Sequence, residues 1–269
     1  YLSRKEGKEA WVEPVVDEGS YSFKVRVGAP DDHEAVKKGT TAGKWKAFKC
    51  LMSGASIPYE HIKGEGKAGR LGMKLMGVAA KGRHGRVYLS PSREMEDFAK
   101  SVESESRPDL KINYHPRDIK TQIYGLNTYG DLFTSRQLVA LNAFSNLVGE
   151  VRDRIAEDQA AYENLSNDQG FERNSFRGDS FAYANAIAVL LSFVVDKLAD
   201  LGNSLVRWEP VAQCPRQLFG RQAIPMVWDF AEANVFSGSS GSWSVLVDGF
   251  SKAYSNNFRS VLAGLEGHA

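Results

Sequence analysis

The stretch FGRQAIPMVWDFAEANVF combines, in one short segment, residue types that contact nucleic acids. Arg221 and Gln222 carry forked polar groups that suit phosphates and base edges. Trp228 and Phe230 offer aromatic surfaces on which a base can stack. The same residues also allow a packing interpretation, in which the two aromatics anchor a core and Arg221 pairs with Asp229.

A second candidate surface is the run from Lys37 to Ser90, which holds twelve Lys or Arg and two Glu, a net charge of +10. Residues 1–125 sum to +6 and residues 126–269 to −5. Such a run is either a solvated surface or a face that contacts phosphates, and both interpretations stay open. The second interpretation predicts DNA contacts from glycine-spaced cations and one further arginine: Lys63, Lys67, Arg70, Lys74, Arg83, Arg86 and Arg136.

Several kinds of catalytic and metal chemistry have no candidate residues. The chain contains no Gly-x-Ser-x-Gly and no phosphate-binding Gly-Lys-Ser/Thr, and its five histidines are scattered. Cys50 begins a pattern in which a zinc knuckle would carry a second cysteine, but Ser53 occupies that position. A structural zinc site needs four ligands, so Cys50 is predicted to be a lone thiol and the chain to bind no metal.

The elements that must position these residues differ between the two halves of the chain. Turn signals at EGS and KGRHG lie between alternating apolar segments, which predicts small antiparallel hairpins. Apolar residues at three- and four-residue steps predict helices afterwards, over 90–104, 134–162, 180–201 and 242–265. The prediction is an α+β fold with a basic, β-rich, degenerate zinc-ribbon-like region over 1–92 and a mostly α-helical region over 93–269.

Three of these helices carry more specific expectations. Thr134 is the predicted N-cap of the second, with Gln137 as its capping-box partner. The helix over 180–201 is apolar on most faces and is predicted to be buried. Met95, Phe98 and Val102 lie at helical spacing in the first.

Composition predicts the compartment. The chain has 269 residues, 42% hydrophobic and 25% charged, and only two cysteines, which favours a reducing, cytoplasmic setting. It has no uninterrupted apolar run of about 18 residues, so no membrane partner is predicted. It opens with charged residues rather than with a secretory signal. It also opens without Met, which predicts that it is a piece of a longer protein.

Four long segments together resemble one protein family. They are YLSRKEGKEAWVEPVV, EGKAGRLGMKLMGVAAKGRHGRVYL, YGLNTYGDLFTSRQLVALNAFSNLVGEVRDRI and FGRQAIPMVWDFAEANVFSGSSGSW. The family is that of adenine-specific DNA methylases that contain a zinc-ribbon module. The resemblance touches most of the chain and keeps the order of the segments.

The resemblance implies a role as well as a place in a larger enzyme. Such methylases bind S-adenosylmethionine at an Asp-Pro-Phe-x-Gly-x-Gly loop and hold a flipped adenine at Asp-Pro-Pro-Tyr, and neither motif occurs in this chain. The chain therefore resembles the intervening segment, which reads DNA and has no catalytic residue or cofactor site of its own. Its implied partners are DNA and the remaining methyltransferase domain, on the same polypeptide or as a separate subunit.

Two other interpretations remain open. One is a complete enzyme whose motifs have diverged. The other is a protein-interaction subunit, built on the helical half, of a phage-defence or restriction-modification complex.

Overall fold

The computed structural model describes residues 1–43, 47–168 and 180–266, and its chain folds into two compact units. The first unit comprises 1–136 and 204–231, and the second comprises 137–203 and 232–269. This division differs from the predicted boundary after residue 92, because residues 93–136 and the returning segment 204–231 both cluster with the first part of the chain.

The described residues form eight strands, six α-helices and two 3-10 turns. The strands are β1 Ala10–Asp17, β2 Ser20–Val27, β3 Phe48–Lys49, β4 Ser56–Ile57, β5 Val78–Gly82, β6 Gly85–Leu89, β7 Arg207–Glu209 and β8 Cys214–Arg216. The helices are α1 His33–Lys38, α2 Tyr59–Lys67, α3 Arg93–Ser101, α4 Ser135–Asp168, α5 Ser180–Leu201 and α6 Trp243–Glu266. The 3-10 turns are Thr121–Tyr124 and Tyr129–Leu132.

The strands pair only as antiparallel hairpins: β1 with β2, β3 with β4, β5 with β6 and β7 with β8. In the first hairpin, Ala10 lies opposite Val27 and Asp17 opposite Ser20. Gly19 takes a φ of 81° in the turn, a conformation that glycine adopts without strain. The Val25 amide of β2 donates to the Ser90 hydroxyl just after β6, at 2.9 Å, which joins the first and third hairpins.

The core of the first unit draws on distant parts of the sequence. Ile112 and Leu132 pack with three side chains from the returning segment, Leu205, Leu218 and Ile224. The amide and hydroxyl of Ser204 both donate to the Leu132 carbonyl, at 2.7 and 2.8 Å. These contacts explain why the returning segment belongs to this unit although some seventy residues separate it from the rest.

The second unit is built on long helices. On α5, a buried stripe of Ala184, Val194 and Leu198 recurs at helical spacing. The Phe144 ring of α4 stacks on Trp243 at the start of α6, with 4.3 Å between ring centroids and 13° between planes.

The mixed character of the fold is confirmed: small antiparallel sheets come first and several helices follow. The helices predicted over 90–104, 134–162, 180–201 and 242–265 are all present, and α4 begins directly after Thr134 but runs on to Asp168. The alternation of Trp45 and Ala47 predicts a further strand, and the polar segment 164–179, which has no period, predicts a loop. Trp45 and most of that segment lie outside the described residues.

The burial predicted for the helix over 180–201 is wrong for much of its surface. Phe181 and Phe193 of α5 are 62% and 50% exposed, so only one face of this helix is buried. On α3, Phe98 is 75% exposed and Met95 is also exposed, while Glu96 is buried. Apolar spacing predicted these helices correctly but did not identify the face of α3 that packs against the rest of the unit.

Within the described residues, one helix, Phe181–Leu201, is long and apolar enough to cross a membrane. Length and composition alone fit a membrane span and a helix of a water-soluble protein equally.

Candidate nucleic-acid interface

Helix α2 presents two of the predicted DNA-contacting lysines. Its buried side consists of Ile62 and Gly66, one helical turn apart. Lys63 is half-buried, and its Nζ lies 3.8 Å from a carboxylate oxygen of Glu60. Lys67 ends the helix, is exposed, and has no ion-pair partner among the residues that the structure describes.

Arg70 is bound to a carboxylate of its own chain. Its Nε and Nη2 donate to the two oxygens of Glu65, both at 2.7 Å, which is a bidentate pair. The hydrogen bond from Arg70 lowers the pKa of Glu65, and Glu65 in turn raises the pKa of Arg70. The geometry assigns Arg70 to the loop after α2, where its charge is already neutralised.

Lys74 is likewise engaged. Its Nζ lies 2.9 Å from Glu96 and 5.9 Å from the centre of the Tyr21 ring. Lys100 donates to the other oxygen of Glu96 at 2.7 Å. Hydrogen bonds from Lys100 and then Lys74 lower the pKa of this nearly buried carboxylate.

The β5–β6 hairpin carries three cations close together without acidic neighbours in sequence. Its residues 78–89 include no Asp or Glu. Lys81 and Arg86 lie directly opposite each other in the register, and Arg83 lies in the turn between them. Like charges directly across a strand pair repel, so this arrangement costs stability unless an anion binds.

Within this hairpin, Arg86 differs from its neighbours. Its guanidinium donates to the Gln213 carbonyl and lies 5.8 Å from the centre of the Trp208 ring. Trp208 in turn donates to the Leu2 carbonyl at 2.8 Å. Arg86 therefore ties β6 to the β7–β8 hairpin, whereas Lys81 and Arg83 are exposed and have no ion-pair partner in the described part of the chain.

The three remaining polar candidates fall into two groups. Arg136 is partly buried and donates to the Ala99 carbonyl at 2.5 Å. Arg221 and Gln222 are exposed, in the returning segment of the first unit. No ion pair joins Arg221 to Asp229, so the packing interpretation of that pair does not hold.

Trp228 belongs to an aromatic cluster, which we define as Phe48, Tyr59, Tyr124 and Trp228. Trp228 lies 5.8 Å from Phe48 and 5.2 Å from Tyr124 between ring centroids, at interplanar angles of 75° and 89°. Phe48 also contacts Tyr59 edge to face at 6.3 Å. Trp228 therefore packs against other aromatic rings, as the packing interpretation requires, but 41% of its surface remains exposed.

Two glycines hold this cluster together. Gly66 of α2 and Gly125 after the first 3-10 turn approach so closely that a Cβ on either would overlap the backbone of the other segment. Gly125 also takes a φ of 89°. The crossing places Tyr124 beside α2, whose first residue is Tyr59.

Cys50 lies in the turn between β3 and β4. The Gly54 amide donates to the Cys50 carbonyl at 2.9 Å, and Gly54 takes a φ of 71°. Hydrogen bonds from the Ser53 side chain and from the backbone of Ser53 and Met52 lower the pKa of the Cys50 thiol. Across the described residues, no group of three or more His, Cys, Asp and Glu side chains could hold a metal ion, and the zinc-ribbon character has no support.

Sequence reasoning missed Lys81 and the two ring partners of Trp228, Phe48 and Tyr124. Lys81 could have been found, because its place opposite Arg86 follows from a symmetric hairpin around Arg83 and His84. The aromatic partners had no local signal, since Phe48, Tyr124 and Trp228 are far apart in the sequence.

Searches against protein-family models, curated proteins and solved structures find no match to this chain.

Proposed function

We propose that this chain is the DNA-binding, target-recognition segment, or a split subunit, of an S-adenosylmethionine-dependent adenine-specific DNA methyltransferase, without catalytic residues of its own. The methyltransferase part of the proposal rests on the sequence resemblance. Under it, S-adenosylmethionine and the flipped adenine bind to the remaining methyltransferase domain, and this chain supplies contacts to DNA.

The observation that carries the DNA-binding part is the β5–β6 hairpin. The tip of this hairpin carries three closely spaced cations, Lys81, Arg83 and Arg86, and the hairpin sequence contains no carboxylate. Repulsion between Lys81 and Arg86 is relieved when a polyanion neutralises them, which couples the hairpin to phosphate binding. Arg86 fixes the hairpin, so its exposed neighbours present their charges from a held position.

The test is binding of a short DNA duplex across a salt series. Each phosphate contact contributes about 0.9 to the slope of log affinity against log salt. We expect Lys81→Ala with Arg83→Ala to flatten that slope by about two units. These substitutions keep Arg86, Arg70 and Lys74, whose internal contacts would complicate the measurement.

A charge-matched control is available on α4. Arg152→Ala with Arg154→Ala removes the same two charges from exposed side chains that pair with Asp153 and Asp158. We expect the control to leave the slope nearly unchanged. An equal change in both double variants would mean that only net charge matters, and an unchanged slope in the hairpin variant would contradict the DNA-binding role of the hairpin.

A second candidate is a protein-interaction subunit of a phage-defence or restriction-modification complex. The exposed face of α5 favours it, because Phe181, Tyr183, Val189 and Phe193 are each at least half exposed. Exposed apolar faces of this kind are typical of protein interfaces. DNA binding that stays absent at low salt, together with a loss of complex assembly in Phe193→Ser, would favour this candidate over the first.

A further inference from the structure

The aromatic cluster combines side chains from four places in the first unit. Phe48 comes from β3, Tyr59 from the start of α2, Tyr124 from the first 3-10 turn and Trp228 from the returning segment. Bringing four rings together from such distances costs chain entropy that a merely solvated surface would not require. The cluster is therefore a specific product of the tertiary fold of the unit.

Trp228 is the exposed member of this cluster, and the residues next to it in sequence anchor its backbone. Its neighbours in sequence, Met226 and Val227, pack against the core of the first unit. The next residues are fixed as well, since the Ala231 amide donates to the Val206 carbonyl at 2.8 Å. The indole thus lies at the surface on a segment whose backbone is anchored on both sides.

The ring geometry leaves room for a stacked partner. Phe48 and Tyr124 meet the indole at 75° and 89°, so both contacts are edge to face. Among the described residues, no ring is stacked parallel to Trp228. A flat group that covers the exposed indole would gain the parallel stacking contact that these neighbours do not provide.

Positive charge lies next to the cluster on α2. Tyr59, Lys63 and Lys67 are spaced by four residues, so they form one row along the helix surface. Lys67, exposed at the end of the row, has no acidic partner in the described part of the chain. A strand that continues from a stacked base along α2 would bring its phosphates to this row.

We propose that Trp228 is the platform on which a DNA base that is not stacked in a duplex binds, with the α2 lysines contacting the adjoining phosphates. The proposal rests on the proposed function and deepens it, because it names the part of DNA that this surface recognises. Aromatic platforms flanked by cations bind unpaired bases with little dependence on sequence, since every base has a π-face.

The test compares a short single-stranded oligonucleotide with the matching duplex, using the whole chain. Loss of a base-stacking aromatic weakens binding by about 5- to 150-fold per base. We expect Trp228→Ala to weaken single-strand binding within this range and duplex binding by less than threefold. Trp228→Phe should keep part of the affinity, because a smaller ring still stacks.

Two further variants separate stacking from packing. Trp228→Leu keeps an apolar side chain against Phe48 and Tyr124 but removes the flat surface, and should lose affinity as the alanine variant does. Phe98→Ala removes an even more exposed aromatic from the same unit, outside the cluster, and should bind like the unaltered chain. Circular dichroism of each variant checks the fold; if Trp228→Ala unfolds, the leucine and phenylalanine variants decide.

The outcomes distinguish this inference from the proposed function. Unchanged single-strand affinity in the folded Trp228 variants, while the hairpin double variant still flattens the salt slope, overturns the stacking site and leaves DNA binding in place. An equal loss on single strand and duplex also overturns it. Absence of any DNA binding by the unaltered chain overturns the proposed function, and the stacking site with it.

Discussion

Glu96 is a nearly buried carboxylate that two lysines from different segments neutralise. Lys100 lies one turn further along α3, and Lys74 comes from the strand-free segment between α2 and β5. Each lysine donates to a different oxygen of the carboxylate, Lys74 to Oε2 and Lys100 to Oε1. This small network joins α3 to the preceding basic segment, and it uses a lysine that the sequence pattern had predicted to contact DNA.

Replacing Glu96 by Gln should destabilise the first unit in a pH-dependent way. At neutral pH we expect a loss of about 1–2 kcal/mol, since two partly exposed lysines lose their partner. The folded-state pKa of Glu96 lies below its unfolded value, so its contribution is present above the unfolded pKa of about 4.3 and is lost as the pH falls through the folded pKa. Urea unfolding from about pH 7 to pH 3 measures the difference.

The control for this prediction is Glu94→Gln, an exposed glutamate on the same helix. It should change the free energy of unfolding by less than about 0.5 kcal/mol. A difference between Glu96→Gln and the unaltered chain that stays constant down to acid pH would contradict the charged network.

At the scale of elements, the crossing of α2 over the Thr121–Tyr124 turn decides where the aromatic cluster forms. Gly66 and Gly125 let the two backbones touch. Tyr124 is thereby brought near Tyr59. Burial is the larger cause that raises the pKa of Tyr124, and the neighbouring Tyr59 raises it further. Gly66 therefore contributes to helix packing.

A pair of alanine substitutions on α2 tests this crossing. Gly66→Ala places a Cβ against the Tyr124 backbone and should destabilise the unit by about 1–3 kcal/mol. Gly64→Ala has no atom within 4 Å of its added Cβ and should be neutral or stabilising by about 0.5–1 kcal/mol, since alanine favours a helix. Thermal or urea unfolding of both variants provides the comparison.

If Gly66→Ala were as stable as Gly64→Ala, the close approach of the two backbones would be wrong. If the crossing also positions the cluster, Gly66→Ala should weaken single-strand binding in the direction of Trp228→Ala, whereas Gly64→Ala should not.

At the scale of the whole molecule, the chain has two compact units and no recognisable methyl-transfer motif. Methylation of adenine needs the base flipped and its amine held by acceptors. The sequence contains neither the glycine-rich cofactor loop nor the Asp-Pro-Pro-Tyr tetrapeptide to which the resemblance would assign these tasks. The proposed role is to bind DNA for a catalytic domain.

We therefore expect the isolated chain to transfer no methyl group from labelled S-adenosylmethionine to DNA and to bind no S-adenosylmethionine in an equilibrium titration. DNA binding at low salt serves as the positive control that the preparation is folded and competent. Cofactor-dependent methylation by this chain alone would contradict the proposal and favour a complete enzyme with diverged motifs.

The sequence by itself determined the elements whose stability is local. Helices α4 and α5 follow from long apolar periods, and α3 from Ser92, which caps it by accepting from the Met95 amide at 3.2 Å. The hairpins β1–β2 and β5–β6 follow from turn residues between alternating strands. In each case residues a few positions apart supply the decisive interactions.

Only the tertiary structure decided what these elements do together. It paired Lys74 with Glu96 and left Lys67 and Lys81 without acidic partners in the described residues. The basic run is thereby reduced to a few candidate contacts. It returned residues 204–231 to the first unit and placed Trp228 beside Phe48 and Tyr124. Charge and apolar character can be read along a chain, but pairing and exposure depend on contacts between residues far apart in it, which local periodicity does not encode.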